Sequence, residues 1–449
     1  MLETLRNAWK NTELRKKIFY TLFIILIFRV GSHIPVPFIN VDALKTLFAQ
    51  SSDDSGNFFN YLSIFTGGAM QYGALFSMSV TPYINASIIM QLLTVAIPPL
   101  ARLQKEGEIG QKKIASITRF VTVILGLIQG GAYYFYLNAS GIQTDDGWTP
   151  LIQARYKSGF NHIFIAVVIV LCFTAGSALM MWLGEQVDKK GIGNGISILL
   201  FAGIISRFPD AITYLYKLLV EQKKFILSLE IVALFIFVIV FVVWMTAAER
   251  RIPVQYAKRV VGRKMYGGQN THIPIKVNMS GVMPIIFASS ILSLPTTILG
   301  FMGDGYANSL RHPIGSKIYR ILAMISIRSA TYAIVYFLMI IGFAFFYVSI
   351  QYNPVEMANN LRKNSGAVPG IRPGKPTQDF IKKILTKVTL IGAIFLGGIA
   401  ILPVLLSTFG GINLMIGGTS ILIVVGVALD TVRQIESQLL MRHYKGFLD

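Results

Sequence analysis

The side chains that could do chemistry in this 449-residue chain are few and scattered. Its five histidines (His33, His162, His272, His312 and His443) lie far apart, without the short spacings that let ligands share a metal ion. Cys172 is the single cysteine, so no disulfide can form within the chain, and a packed thiol is expected. No Gly-x-x-x-x-Gly-Lys-Ser/Thr phosphate loop and no Gly-x-Ser-x-Gly nucleophile turn occurs. Gly191-x-Gly193-x-Gly195 has the wrong spacing for a dinucleotide site and follows an apolar helix rather than a strand. It reads as a tight turn in which Asn194 and Gly195 lead into the next helix. Within the apolar segments, ionisable groups are scarce. Glu185, Asp188, Glu249 and Asp430 fall at the inner ends, Glu230 falls near an outer end, and Arg29 can snorkel to the outer interface. A carboxylate or guanidinium at mid-bilayer costs about 2.5–3.5 kcal/mol on insertion scales, so ion and proton carriers keep such groups only for a purpose. Here the middle is aliphatic. A constriction lined by aliphatic side chains dewets and blocks ions without any charge. Such residues at helical spacing ordinarily just pack, and chemistry alone does not select among them.

The elements that must position these residues are ten apolar stretches: 18–37, 76–98, 114–137, 160–183, 196–219, 225–247, 282–300, 329–350, 386–406 and 416–431. Most approach the ~20 residues a helix needs to cross a bilayer. The chain is 53% hydrophobic and only 14% charged, too few charges for a water-facing surface. The runs are continuous, not alternating, so membrane-spanning helices are expected rather than a barrel.

The net charge of +20 is not spread evenly. With the N-terminus in the cytosol, 29 of the 41 Lys and Arg residues fall on the cytosolic side. They cluster before the first span, around 102–119, at 189–190, in 250–276, in 362–387 and after 432. This asymmetry puts both termini in the cytosol of a multi-pass protein. Residues 1–30 have a basic start and an apolar run, but Arg29 interrupts it and no Ala-x-Ala-type cleavage site follows; an uncleaved first span is expected. Residues 1–17, with Leu2, Leu5 and Trp9 against Arg6, Lys10, Arg15 and Lys16, read as an amphipathic segment on anionic lipid.

Two long inner loops, about 248–281 and 351–385, are basic and rich in Gly and Pro. The run Val368-Pro369-Gly370-Ile371-Arg372-Pro373-Gly374 fixes a turn that holds Arg372 away from the membrane, as a docking loop would. Residues 58–68 of the long outer connection (38–75) are Gly-rich, moderately apolar and too short to span; they read either as a re-entrant plug or as a surface loop. Finally, Pro82-Tyr83-Ile84-Asn85-Ala86-Ser87 and Pro284-Ile285-Ile286-Phe287-Ala288-Ser289 share Pro-x-Ile-x-Ala-Ser, each with a valine two residues earlier (Val80, Val282). The copies lie five spans apart, as an inverted repeat of two five-span halves, about 1–220 and 221–449, would place them.

These features together resemble the SecY family, the channel subunit of the bacterial-type Sec protein translocon. The resemblance runs through nearly the whole chain: Arg29-Val30-Gly31-Ser32-His33-Ile34-Pro35-Val36-Pro37, Ile64-Phe65-Thr66-Gly67-Gly68-Ala69, Pro82 to Leu93, Lys105-Glu106-Gly107-Glu108, Met181-Trp182-Leu183-Gly184-Glu185-Gln186, Gly191 to Ser197, Tyr256-Ala257-Lys258-Arg259, Lys276-Val277-Asn278-Met279 and Pro369 to Gly374. It implies an all-α integral membrane protein of ten helices in two inverted pseudo-symmetric halves, with a short plug helix on the outer side. The family's pore ring maps onto Val80, Ile84, Ile196, Leu200, Ile286 and Ile423. The plug maps onto about 58–73, including Phe58, Ile64, Phe65, Gly67 and Gly68, with Met70-Gln71-Tyr72 where the family often has Leu-Ser-Arg. The lateral gate lies between the second and third spans and the seventh and eighth. Arg263, Lys264 and Arg372 are the docking candidates. The implied partners are SecE-type and SecG-type small subunits, the SecA motor ATPase, the ribosome through its rRNA phosphates, signal sequences and translocating polypeptides. No cofactor is implied, the implied location is the inner (plasma) membrane, and the chain is not expected to be an enzyme. A solute transporter would need polar groups at mid-span on broken helices, and a membrane-embedded protease would need paired catalytic groups at one depth. The sequence offers little of the first and none of the second.

Overall fold

The computed structural model describes residues 6, 9–50, 66–139, 141–144, 147–152, 160–221, 223, 225–256, 259–261, 264–266, 270–292, 330–410 and 418–445. Ten helical segments correspond to the ten apolar stretches. They are α1 (Thr12–Gly31), then, after the short helix α2 (Val41–Gln50), α3 (Thr81–Ala96) with its bent continuation α4 (Pro98–Lys105). Next come α5 (Glu108–Ala139), α6 (Phe160–Lys190), the pair α7 (Gly195–Ile205) and α8 (Phe208–Val220), and α9 (Phe225–Ala247). The last four are α10 (Met283–Leu292), α11 (Ala330–Gln351), α13 (Lys375–Gly410) and α14 (Gly418–Lys445), with the short helix α12 (Pro354–Lys363) between α11 and α13. Among the described residues, six segments are long and apolar enough to cross a membrane on their own, and seven if the bent pair α3–α4 is one span. α3 and α4 meet at 101°, where Pro98 and Pro99 cannot continue the i→i−4 ladder.

The amphipathic reading of residues 1–17 falls largely outside the described residues up to residue 8. Beyond them the chain does not run on as one helix. Asn11 is extended and its side chain caps α1 by accepting from the Glu13 amide at 3.1 Å. The second span starts later than its apolar run. Residues 76–80 are turns because Ser79 sits at φ 48° and Pro82 suits only a helix's first turn.

The sequence repeat carries a structural counterpart. Gly281 adopts φ 61° ahead of α10, as Ser79 does ahead of α3. Each turn is followed by the same first helical bond, Ile84 N–H to Val80 O (3.0 Å) and Ile286 N–H to Val282 O (3.2 Å). The halves then meet where α7 packs on α14.

The two long basic loops are not plain coil. Residues 249–276 contain an antiparallel pair, β3 (Glu249–Tyr256) and β6 (Asn270–Lys276), with the small β4–β5 hairpin (Arg259–Val261, Lys264–Tyr266) between them in sequence. β7 (Gly366–Ala367), from the second loop, adds to β3 and gives the order β6-β3-β7. Ile252, Val254, Ile275, Leu361, Val368 and Ile381 bury together beneath this sheet, so the two loops share a core of their own. A short hairpin of β1 (Gly141–Thr144) and β2 (Gly147–Pro150) lies between α5 and α6.

Candidate functional site

Four chain segments bring the aliphatic candidates together. Val80 and Ile84 stand on the first turn of α3, Ile196 and Leu200 on α7, Ile286 on α10 and Ile423 on α14. Val80, Leu200, Ile286 and Ile423 are buried (0–8% exposed), and half-buried Ile84 and Ile196 pack on the same cluster. Phe76, Met180, Val282 and Val427 are among the other buried residues of this larger hydrophobic cluster. These four were not singled out from the sequence. For Val282 a signal existed, since it matches Val80 in the repeat. Each buried Val, Leu or Ile is worth about 1.5–3 kcal/mol over exposure, so wetting this cluster would cost many kcal/mol.

α7 is aimed at the cluster by its start. Asn194 accepts from the Ser197 amide at 3.1 Å, and Asp188 accepts from the Gly195 amide at 2.7 Å. A Cβ on Gly195 would stand 2.0 Å from the Gly184 carbonyl oxygen, so only glycine lets α7 lie this close to α6. The Gly191–Gly195 run is thus the tight turn its composition suggests. Beside this turn lies a cavity of about 420 Å³ lined by Asp188, Asn194, Ser197, Val282, Val427, Asp430, Thr431 and Gln434. Val282 and Val427 also belong to the aliphatic cluster, so the cavity adjoins it.

Of the plug candidates, Phe58, Ile64 and Phe65 lie outside the described residues. Gly67 and Gly68 are described, both left-handed at φ 63° and 84°, and lead into a 3₁₀ turn, Ala69–Tyr72. The stretch that follows is stitched to the segment just past the C-terminal end of α1, with Val36 N–H donating to Gly73 O and Leu75 N–H to Ile34 O, each at 2.9 Å. Met70 and Tyr72 have clear duties here. Met70 is buried in the cluster that also holds Leu44, Tyr133 and Phe173. The Tyr72 ring packs on His33 and lies under the Lys45 ammonium, 4.7 Å from its centroid.

Among the docking candidates, Arg372 is exposed on the turn, with Gly370 and Gly374 at φ 80° and 108°. Buried Val368 anchors that turn, and the Thr377 hydroxyl donates to the Arg372 carbonyl at 2.8 Å. Lys264 opens β5, and Arg263 lies outside the described residues.

Several helices long and apolar enough to cross a bilayer, packed around hydrophobic clusters shared by distant segments, define a polytopic helical membrane protein. The SecY family model matches residues 74–432. The protein translocase subunit SecY of Halalkalibacterium halodurans is 42% identical over 465 residues, covering all of both chains. The chain therefore belongs to the SecY family. Among solved structures, one described as a protein conducting channel matches with TM-score 0.57 at 18% identity, covering 94% of this chain and 92% of that one. Sec61 from a canine ribosome–channel complex of the endoplasmic reticulum matches with TM-score 0.53 at 17% identity, with the same coverages. The fold is the ten-helix, two-half architecture of that family.

Proposed function

We propose that this chain is the passive pore of a protein-conducting channel in the plasma (inner) membrane, with both termini in the cytosol. Unfolded secretory polypeptides enter from the cytosolic side, pass the ring of Val80, Ile84, Ile196, Leu200, Ile286 and Ile423, and displace the plug built from about 58–73. Hydrophobic segments leave sideways between the halves 1–220 and 221–449, by way of the second, third, seventh and eighth spans. The observation that carries this reading is the convergence of six aliphatic side chains from four separated segments onto one hydrophobic cluster, four of them buried and Ile84 and Ile196 half-buried. A ring without fixed hydrogen-bond partners lets any side chain slide past and still closes against ions.

The driving force comes from outside the chain, from a SecA-type motor ATPase or the ribosome. The exposed Arg372 turn, Arg263 and Lys264 are the docking points, suited to rRNA phosphates. The Sec61 complex with a ribosome supports that partnership by analogy. SecE-type and SecG-type small subunits, signal sequences and anionic lipids complete the set of partners. The inside-positive distribution of Lys and Arg supports the orientation.

The test is a crosslink. Cys172 is replaced by serine, Ile84 by cysteine, and a signal-bearing polypeptide with one cysteine is stalled in transit. A disulfide that forms only with the intermediate is expected. Translocation without a crosslink at Ile84 or Ile286 would move the path elsewhere.

A further inference from the structure

Arg29 breaks the charge pattern of this chain. It stands in the last turn of α1, at the end that the orientation proposed above places outside, where few basic residues fall. A free guanidinium there would simply reach for water. Instead it is half-buried, and its Nη1 donates to the carbonyl oxygen of Gly67, 38 residues away, at 3.2 Å. Gly67 is the left-handed residue at which the seated stretch begins.

The second polar neighbour of that carbonyl is weaker. The Ser206 hydroxyl, just past α7, lies 3.4 Å from Gly67 O but only 2.6 Å from Gly203 O. A hydroxyl has one proton, so Gly203 holds it and Gly67 receives the minor branch. The guanidinium is therefore the principal donor, and a charge-assisted one. Gly67 is also pressed onto α7. A Cβ on it would meet Ser206 Oγ at 2.8 Å and the Gly203 backbone at 3.1 Å.

We infer that Arg29 is a positioning residue: its bond to the Gly67 carbonyl latches the plug seat onto the first and fifth spans and biases the resting channel toward closed. The inference rests on the channel reading above. It gives the arginine a role beyond snorkelling and explains why a cation is kept on the side that carries few.

The reporter is Met70, which is buried in the seat at 2% exposure. Met70→Cys is made in a Cys172→Ser background, and labelling by a membrane-impermeant maleimide from the outer side is timed in reconstituted complex. Arg29→Gln should raise the labelling rate about tenfold, the population equivalent of one charge-assisted hydrogen bond. Ser206→Ala should change it by less than about twofold, since its proton goes elsewhere. Gly67→Ala supplies an independent route, because it lifts the carbonyl while leaving the arginine in place, and the same rise is expected. An unchanged rate in Arg29→Gln or in Gly67→Ala would overturn the latch, as would Ser206→Ala matching Arg29→Gln. The Ile84 crosslink separates the two ideas. Crosslinking with unchanged Met70 labelling removes the latch alone, whereas loss of crosslinks at both Ile84 and Ile286 during translocation removes the channel path itself.

Discussion

Placing a carboxylate in the aliphatic ring should open it in proportion to how deeply the host residue is buried. Ile423 is 1% exposed and Ile286 8%, while Ile84 is half-buried at the edge of the same cluster. Ile423→Asp removes roughly 1.5–3 kcal/mol of hydrophobic burial. It also leaves an unpaired carboxylate whose desolvation costs several kcal/mol after relaxation. Together these raise the dry, closed state by at least about 4 kcal/mol relative to a wetted one. At about 1.4 kcal/mol per tenfold, the closed-to-wet ratio falls roughly a thousandfold. Ile423→Val, by contrast, removes one methylene and costs about 0.5–1.5 kcal/mol, no more than about tenfold. The assay is ion conductance of the reconstituted complex in planar bilayers without substrate. The expected order of leak is Ile423→Asp above Ile286→Asp above Ile84→Asp, with Ile423→Val near the parent. Equal leak at all three positions, or a tight Ile423→Asp channel that still translocates, would refute the argument that dry packing forms the seal.

Other perturbations follow from the same contacts. Gly176→Ala sets a Cβ 1.9 Å from the Leu75 carbonyl oxygen, so the seat must shift; a loss of about 1–3 kcal/mol in a thermal melt of the detergent-solubilised complex is expected, and an unchanged melt would contradict the packing. Asn194→Ala removes the cap of α7 at a cost of about 1 kcal/mol, which faster amide exchange at Ser197 should report, while Asn194→Asp should keep protection. Arg372→Glu should weaken binding to ribosomes and lower the salt slope of that binding by at least about 1, as loss of one phosphate contact requires. Gly366→Val would drive a side chain into the Tyr256 ring, 2.9 Å from the Cβ position, and should unpair β7 from β3; protease cutting between 363 and 368 should then quicken.

The sequence by itself determined the class of molecule, and its Lys and Arg distribution is what the proposed orientation rests on. Apolar run length and the placement of Lys and Arg are local properties that no tertiary contact needs to complete. The Asn194 turn into the fifth helix and the Pro82 and Pro284 repeat were legible for the same reason, since caps and first-turn prolines act within a few residues. The sheet shared by the two long loops left a weaker trace. Ile252 and Val254 alternate with Pro253 and Gln255 as a half-buried strand should, but the short run lies among charges, and β7 is only two residues long. What lay beyond the sequence was everything set by distance between remote parts of the chain. Ile423 joins the cluster that holds Val80 only once α14 packs on α7; side-chain chemistry alone picked out neither, and it was the family resemblance that mapped both onto one ring. Arg29 looks like a snorkelling cation until folding places the Gly67 carbonyl within 3.2 Å of it. Apolar patterning marks which residues leave water. Which of them touch is a matter of helix packing, and that is decided only in the tertiary structure.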